Sequence, residues 1–100
     1  MIVKENEINI NDEVYVVRKF GTLKDGFDVQ IIKYKVKYKG KTAFVPYGFQ
    51  SMLEKYQEID YDICSKTLEE AQQCVKLMLN NAIGFVEKYN GSYYDVVFRE

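Results

Sequence analysis

The sequence contains no histidine, no tryptophan and a single proline. The absence of histidine excludes Ser-His-Asp and Cys-His catalysis and removes the usual general base near neutral pH. The sequence also has no glycine-rich phosphate loop, no CxxC pair and no nucleophile elbow. We therefore expect a protein that is not an enzyme and that uses no cofactor and no metal.

Long apolar runs are missing too. No stretch approaches the roughly 18 apolar residues that a membrane-spanning helix requires, so we expect no membrane contact. Residues Met1 to Asn11 contain no apolar run of signal-peptide length, which favours a cytoplasmic location. Cysteine is scarce, and in a cytoplasmic chain we interpret Cys64 and Cys74 as buried thiols rather than a disulfide or a metal site.

The composition fits one globular domain over residues 1–100, with 47% hydrophobic and 29% charged residues. The net charge of −1 indicates that the chain as a whole is neither a basic nucleic-acid binder nor an acidic mimic of one. Lysine, isoleucine, asparagine and tyrosine together make up 35 of the 100 residues. Because their codons are AT-rich, we expect an AT-rich bacterial or phage genome as the source.

An apolar stripe between Thr67 and Tyr89 is the longest periodic pattern. Its members recur every three or four positions: Leu68, Ala71, Val75, Met78, Ala82, Phe85 and Tyr89. This spacing predicts one long helix, and Thr67 with Glu70 forms a capping box at its start. Gly91 is the expected left-handed stop. Two alternatives stay open, namely a helix that ends near Asn80-Asn81 and restarts, and a coiled-coil seam.

Several segments predict strands. Val14 to Phe20 is rich in β-branched and aromatic residues and is apolar on both faces, so its inward face stays open. Alternation predicts strands at Phe27 to Lys39, at Glu58 to Cys64 and after Gly91, and Thr42 to Tyr47 follows the Gly40 turn as a hairpin partner. Phe49 to Gln57 has helical spacing and predicts a short helix. The fold class is therefore α+β: one mostly antiparallel sheet of five or six strands, with the long C-terminal-half helix and the short helix on one face. We expect solvent on the other face.

A lysine ladder in the second predicted strand is the most unusual surface. It comprises Lys33, Lys35, Lys37, Lys39 and Lys41, in a stretch from Val29 to Leu53 that contains no acidic residue. Alternate residues of a strand are roughly 6.6 Å apart, which resembles phosphate spacing. Tyr34 and Tyr38 should face the core, so they would not stack on bases. The ladder predicts a docking stripe for an acidic protein or for phosphates, although lysines also protect an edge strand from aggregation.

An acidic ladder of Glu58, Asp60 and Asp62 mirrors the lysines. Cross-strand pairs would cancel both ladders if their strands were neighbours. Residues 1–50 carry a net charge of +3 and residues 51–100 carry −4, which favours separate surfaces. The three carboxylates lie too far apart along a strand to bind one metal ion without another loop. Tyr93 is a further candidate for partner contact, because tyrosine offers large area at low entropic cost.

These observations predict a small non-enzymatic protein that acts by stoichiometric protein–protein interaction. We expect a phage or mobile-element inhibitor or adaptor of a larger host protein. The alternative is a nucleic-acid-binding domain that uses the lysine-rich strand. The partner-binding candidates are Lys33, Lys35, Lys37, Lys39, Lys41, Glu58, Asp60, Asp62 and Tyr93, and the chain is a monomer or a homodimer.

Overall fold

The computed structural model describes residues 7–22, 26–47 and 58–99. Within these ranges it contains seven strands and one α-helix: β1 (Glu13–Thr22), β2 (Gly26–Lys39), β3 (Ala43–Pro46), β4 (Ile59–Asp60), β5 (Cys64–Ser65), α1 (Leu68–Met78), β6 (Ala82–Lys88) and β7 (Tyr93–Phe98). All strand pairings are antiparallel, which confirms the predicted α+β class. The predicted short helix over Phe49 to Gln57 lies outside the described residues.

The long strand β2 organises the sheet. One of its edges pairs with β1 in register from Thr22↔Gly26 to Glu13↔Lys35. Its other edge pairs with β7 at residues 30–32 and with β3 at residues 36–39. β6 extends the sheet beyond β7. The two halves of β2 therefore have different neighbours.

The first core is enclosed by β1 to β5. A single 3-10 turn, Tyr61–Ile63, joins β4, which pairs with β3, to β5, which pairs with β1. The segment therefore bridges the two ends of the strand path and surrounds an apolar interior. Its buried members are Ile8, Val14, Val16, Val36, Phe44, Ile59, Tyr61 and Cys64. The Phe44 and Tyr61 rings stack with centroids 6.2 Å apart, and the Tyr61 hydroxyl donates a hydrogen bond to the Gly40 carbonyl at 2.8 Å.

The second core lies beneath α1, on the opposite face of β1. Its buried members are Val29, Ile31, Ala71, Val75, Ala82 and Val96. Val14 and Val16 belong to the first core, whereas Tyr15 and Val17 pack against the second. The apolar pattern on both faces of β1 thus reflects burial on both faces. The expectation of one covered and one solvent-exposed face was wrong, because β3 to β5 cover one face and α1 covers the other.

The start of α1 was predicted correctly. The Thr67 side chain accepts a hydrogen bond from the Glu70 backbone N–H at 3.2 Å, as a capping residue does. The predicted continuation to Tyr89 was wrong, because α1 ends at Met78 and the chain resumes as strand β6. No helix within the described ranges is long and apolar enough to span a membrane.

A β-bulge explains why β6 looked helical. The pairing of β6 with β7 shifts register between Ala82 and Gly84. Ala82 lies opposite Phe98 and Phe85 lies opposite Val96, so two residues three positions apart face α1 together. A bulge inserts one extra residue and so converts the strand period of two into a local spacing of three.

The β6–β7 turn contains the predicted left-handed glycine. Tyr89, Asn90 and Gly91 have φ values of 50°, 55° and 81°, so three successive residues are left-handed. A Cβ at Gly91 would also lie 2.9 Å from the Glu87 Oε1 atom. Gly91 is therefore required by a hairpin turn and not by a helix end. The last residue of the predicted stripe, Tyr89, is 75% exposed.

Candidate binding surfaces

A second β-bulge divides the lysine ladder. The register of β2 with β3 shifts between Val36 and Tyr38, so that Tyr38 lies opposite Val45 and Lys39 lies opposite Phe44. After the bulge, the even-numbered residues of β2 point outward and the odd-numbered residues point toward the first core, which is the reverse of the order before it. Tyr38 turns outward and is 60% exposed, whereas Lys39 is half-buried on the side of the first core. The expectation that Tyr38 faces the core was therefore wrong, although Tyr34 does pack against the first core.

The bulge assembles a surface that we call the basic–aromatic patch, formed by Lys35, Lys37, Tyr38 and Tyr47. The Lys37 Nζ atom lies 5.3 Å from the Tyr38 ring centroid and 5.8 Å from that of Tyr47. The Lys35 Nζ atom lies 6.0 Å from the Tyr47 centroid. These distances are in the range of cation–π contacts. All four residues are exposed, Tyr47 by 45%.

Hydrogen bonds hold the patch in place. The Tyr47 backbone N–H donates to the Lys35 carbonyl at 2.9 Å, which continues the pairing of β3 with β2. The Tyr47 hydroxyl donates to the Asn11 Oδ1 atom at 3.3 Å. Asn11 is itself fixed, since its N–H donates to the Val36 carbonyl at 2.8 Å. The Tyr47 ring is therefore positioned before any partner binds.

Lys33 is distinct from the lysines of the patch. Its Nζ atom lies 3.1 Å from the Glu13 carboxylate. That hydrogen bond and the charge of Glu13 raise the pKa of the Lys33 ammonium against the opposing effect of burial. Lys41 is exposed in the turn between β2 and β3. Among the described residues, neither Lys35 nor Lys37 forms an ion pair.

The acidic residues lie apart from the lysines, but the prediction that they share one strand from Glu58 to Cys64 was wrong. β4 covers only Ile59–Asp60, and Asp62 lies in the 3-10 turn Tyr61–Ile63. Glu58, Asp60 and Asp62 are all exposed, and Asp60 in β4 lies opposite Ala43 in β3. Because β3 separates β4 from β2, direct cross-strand pairs between the two ladders do not form. In the part of the chain that the structure describes, no three ligand-type side chains converge on a metal position.

Tyr93 belongs to a different surface. It lies opposite Ile32 in β2 and Lys88 in β6, and its ring centroid is 5.1 Å from that of Tyr89. Burial raises the pKa of the Tyr93 phenol, and neighbouring Tyr89 and Asp95 raise it further. The structure therefore does not bring Tyr93 together with the basic–aromatic patch.

Sequence reasoning missed a cavity of about 330 Å³ between β1, β5 and α1. Its walls include Val17, Lys19, Asp62, Ile63, Cys74 and Met78. Cys74 and Met78 are four positions apart on one side of α1, which was a local signal. The other walls come from distant parts of the chain, so periodicity gave no sign of the cavity.

The two thiols near this cavity differ in environment. Cys64 is 1% exposed, its Sγ–H donates to the Asp60 carbonyl at 3.3 Å, and burial raises its pKa to about 12. Cys74 is half-buried in the cavity wall. Within the described ranges the two cysteines are not joined to each other by a disulfide. A buried neutral thiol behaves as a small apolar side chain, so Cys64 is part of the first core.

Comparisons with known proteins give no family. No protein-family model matches the sequence, and neither a curated protein nor a solved structure matches it. Function must therefore be inferred from the surfaces of the chain itself.

Proposed function

We propose that this chain is a small non-enzymatic binding protein that associates stoichiometrically with another protein through the basic–aromatic patch. The supporting observation is the clustering of two exposed lysines and two exposed tyrosines at the β2 bulge. Tyrosine is enriched in protein interfaces, and exposed lysines provide complementarity to carboxylates. The partner surface would therefore be acidic.

The charge distribution favours a protein partner over a long polyanion. The whole chain has a net charge of −1. Three exposed acidic residues lie outside the patch: Asp60 in β4, two strands away from β2, Glu58 just before β4, and Asp62 in the 3-10 turn after it. An extended nucleic acid would meet this acidic surface as well as the patch, whereas a protein can place acidic groups only where the lysines are.

The biological role that we propose is that of a phage or mobile-element inhibitor or adaptor acting on a larger host protein in the cytoplasm. The observation that supports this role is the AT-rich amino-acid usage, and the scarcity of cysteine, two residues in 100, suits a reducing compartment.

Binding of single-stranded nucleic acid is the second candidate. The observation that favours it is the outward position of Tyr38, 60% exposed beside Lys37. An aromatic ring next to lysines is the arrangement on which bases stack without sequence preference.

The test uses the Lys35→Glu/Lys37→Glu double variant and a matched control, Lys66→Glu/Lys76→Glu, which makes the same charge change at exposed lysines outside the patch. The tagged proteins are used to copurify partners from a bacterial host lysate at moderate salt. We expect one host protein to copurify in a fixed ratio with the native chain and the control, and to be lost with the patch variant.

A second experiment separates the two candidates. The anisotropy of labelled single- and double-stranded oligonucleotides is measured during titration with the chain at several salt concentrations. Our proposal predicts no binding in the micromolar range. Micromolar binding that weakens steeply with salt, and that Tyr38→Ala abolishes, would instead establish the nucleic-acid function. A partner retained equally by both charge variants would show that the patch is not the site.

A further inference from the structure

Among the residues that the structure describes, the outer edge of β1 has few pairing partners. On its inner edge β1 pairs with β2 along its whole length, but on its outer edge it pairs with β5 only at Tyr15 and Val16. From Val17 to Thr22 no other strand of the described ranges pairs with this edge. An exposed strand edge presents free N–H and C=O groups to another extended chain.

The cavity lies directly beside this edge. Val17 and Lys19 are two positions apart on β1 and both line the cavity, while Cys74 and Met78 of α1 form its far wall. A strand that paired with β1 would place alternate side chains on this same face. One of those side chains would enter the cavity, whose volume of about 330 Å³ is at the small end of the range for ligand pockets.

We propose that the β1 edge and this cavity form a second binding site, separate from the basic–aromatic patch, for an extended peptide segment of a partner protein. The segment adds to β1 beyond β5 as an extra strand. Main-chain hydrogen bonds along the edge provide affinity, and the cavity provides specificity, as in other cases of strand addition.

The walls define the chemistry of the segment. Val17, Ile63 and Met78 make the cavity apolar, and Ile63 and Met78 are 49% and 51% exposed at its rim. An aliphatic side chain would bury this surface. Lys19 is exposed at the edge and forms no ion pair within the described ranges. The segment therefore carries an aliphatic residue that enters the cavity and an acidic residue two positions along the segment. The acidic residue lies next to Lys19, at the end of the cavity that is farther from Asp62.

A second copy of the chain fits this edge poorly. Antiparallel self-pairing about a two-fold axis between Arg18 and Lys19 would bring Arg18 of each copy opposite Lys19 of the other. Like charges directly opposite each other destabilise a strand pair. An acidic segment from a different protein meets complementary charge instead.

The test selects short random peptides from a display library against the immobilised native chain. We expect the selected peptides to share the aliphatic and acidic pattern. Synthetic versions should bind in the micromolar range, and saturating peptide should slow alkylation of Cys74 by iodoacetamide by about tenfold, as measured by peptide mapping. Methylation of alternate peptide backbone nitrogens should abolish binding, because it removes the main-chain donors.

Matched variants localise the site. Ile63→Glu places a charge at the cavity rim and should weaken peptide binding by about tenfold or more, whereas Ile10→Glu, at a position 53% exposed, should not. Lys35→Glu/Lys37→Glu should also leave peptide binding unchanged, because these lysines belong to the basic–aromatic patch. Failure of the proposed function at the patch would therefore not affect the peptide site, and the reverse also holds.

Four results would overturn the proposal. They are failure to select any peptide, binding that survives backbone methylation, binding that the patch variant abolishes, and a solution dimer that Ile63→Glu dissociates. The last result would show that a second copy occupies the edge.

Discussion

The two cores share β1 but are closed in different ways. The first core is surrounded by strands, and residues as far apart as Ile8 and Cys64 are about 1% exposed within it. The second core is covered by one helix, of which only Ala71 and Val75 are buried, while Leu77 and Met78 are 77% and 51% exposed. We infer that the first core supplies most of the stability and that the side covered by α1 leaves apolar surface beside the cavity.

The largest expected effect is in the first core. Phe44→Ala should lower the free energy of unfolding by about 3 to 5 kcal/mol, because Phe44 is 1% exposed and stacks on Tyr61. Urea denaturation followed by circular dichroism measures this loss. Tyr38→Ala, at an exposed aromatic residue, is the control and should change stability by less than about 0.5 kcal/mol. A loss for Phe44→Ala no larger than that of the control would contradict the packing of the first core.

A smaller effect is expected in the second core. Val75→Ala should lower the free energy of unfolding by about 2 kcal/mol, because Val75 is fully buried but loses only two methyl groups. The same urea measurement on Leu77→Ala, at a 77% exposed position of α1, should show little change. A Val75→Ala loss that exceeds that of Phe44→Ala would reverse the comparison of the two cores.

The buried thiol of the first core should make stability depend on alkaline pH. Burial raises the pKa of Cys64 to about 12, so the folded chain holds this proton more tightly than the unfolded chain does. The resulting stabilisation is complete below the ordinary thiol pKa of about 9 and decreases between about pH 9 and pH 12, by up to about 1.4 kcal/mol per pH unit.

The readout for this prediction is the difference in free energy of unfolding between the native chain and Cys64→Ala. Subtraction removes the titration of lysines and tyrosines that both proteins share. We expect the difference to shrink from about pH 9 upward. A constant difference for Cys64→Ala between pH 9 and pH 12 would contradict the assignment.

The smallest effect concerns the start of α1. Thr67→Ala should cost about 1 kcal/mol, because it removes the acceptor of the Glu70 N–H hydrogen bond. Thr67→Ser should recover most of this loss. Hydrogen exchange of the first turn of α1 should become faster in Thr67→Ala, whereas exchange in the first core should change no more than overall stability requires.

Local sequence signals predicted the elements whose geometry is regular. The β-branched and aromatic residues of β1, the alternation in β2, the Thr67 cap and the left-handed Gly91 are all local signals. The order of strands did not follow, because pairings such as Gln30↔Asp95 join residues far apart in the chain.

Two of the wrong predictions, the long helix and the inward Tyr38, coincide with β-bulges. The bulge between Ala82 and Gly84 gave β6 a helical spacing, and the bulge between Val36 and Tyr38 reversed the outward direction within the lysine ladder. A bulge inserts one extra residue, so the side chains after it point to the opposite face from the one that strict alternation predicts. The local composition did not indicate the position of either bulge. The basic–aromatic patch exists because of such a shift, so its lysines were predictable and its outward Tyr38 was not.

The position of β7 has a consequence for synthesis of the chain. β7 pairs with β2 through residues 93–95, and Gln30 and Asp95 are 65 positions apart. Ribosomes add about 5 to 20 residues per second, so Asp95 is synthesised roughly 3 to 13 seconds after Gln30. During this time the edge of β2 at Gln30 has no β7 with which to pair. During that interval β1 and β2 can already form a hairpin, but the backbone groups of β2 that later pair with β7 stay available to other nascent chains. Folding in the cell is therefore most exposed to aggregation before the last strand emerges.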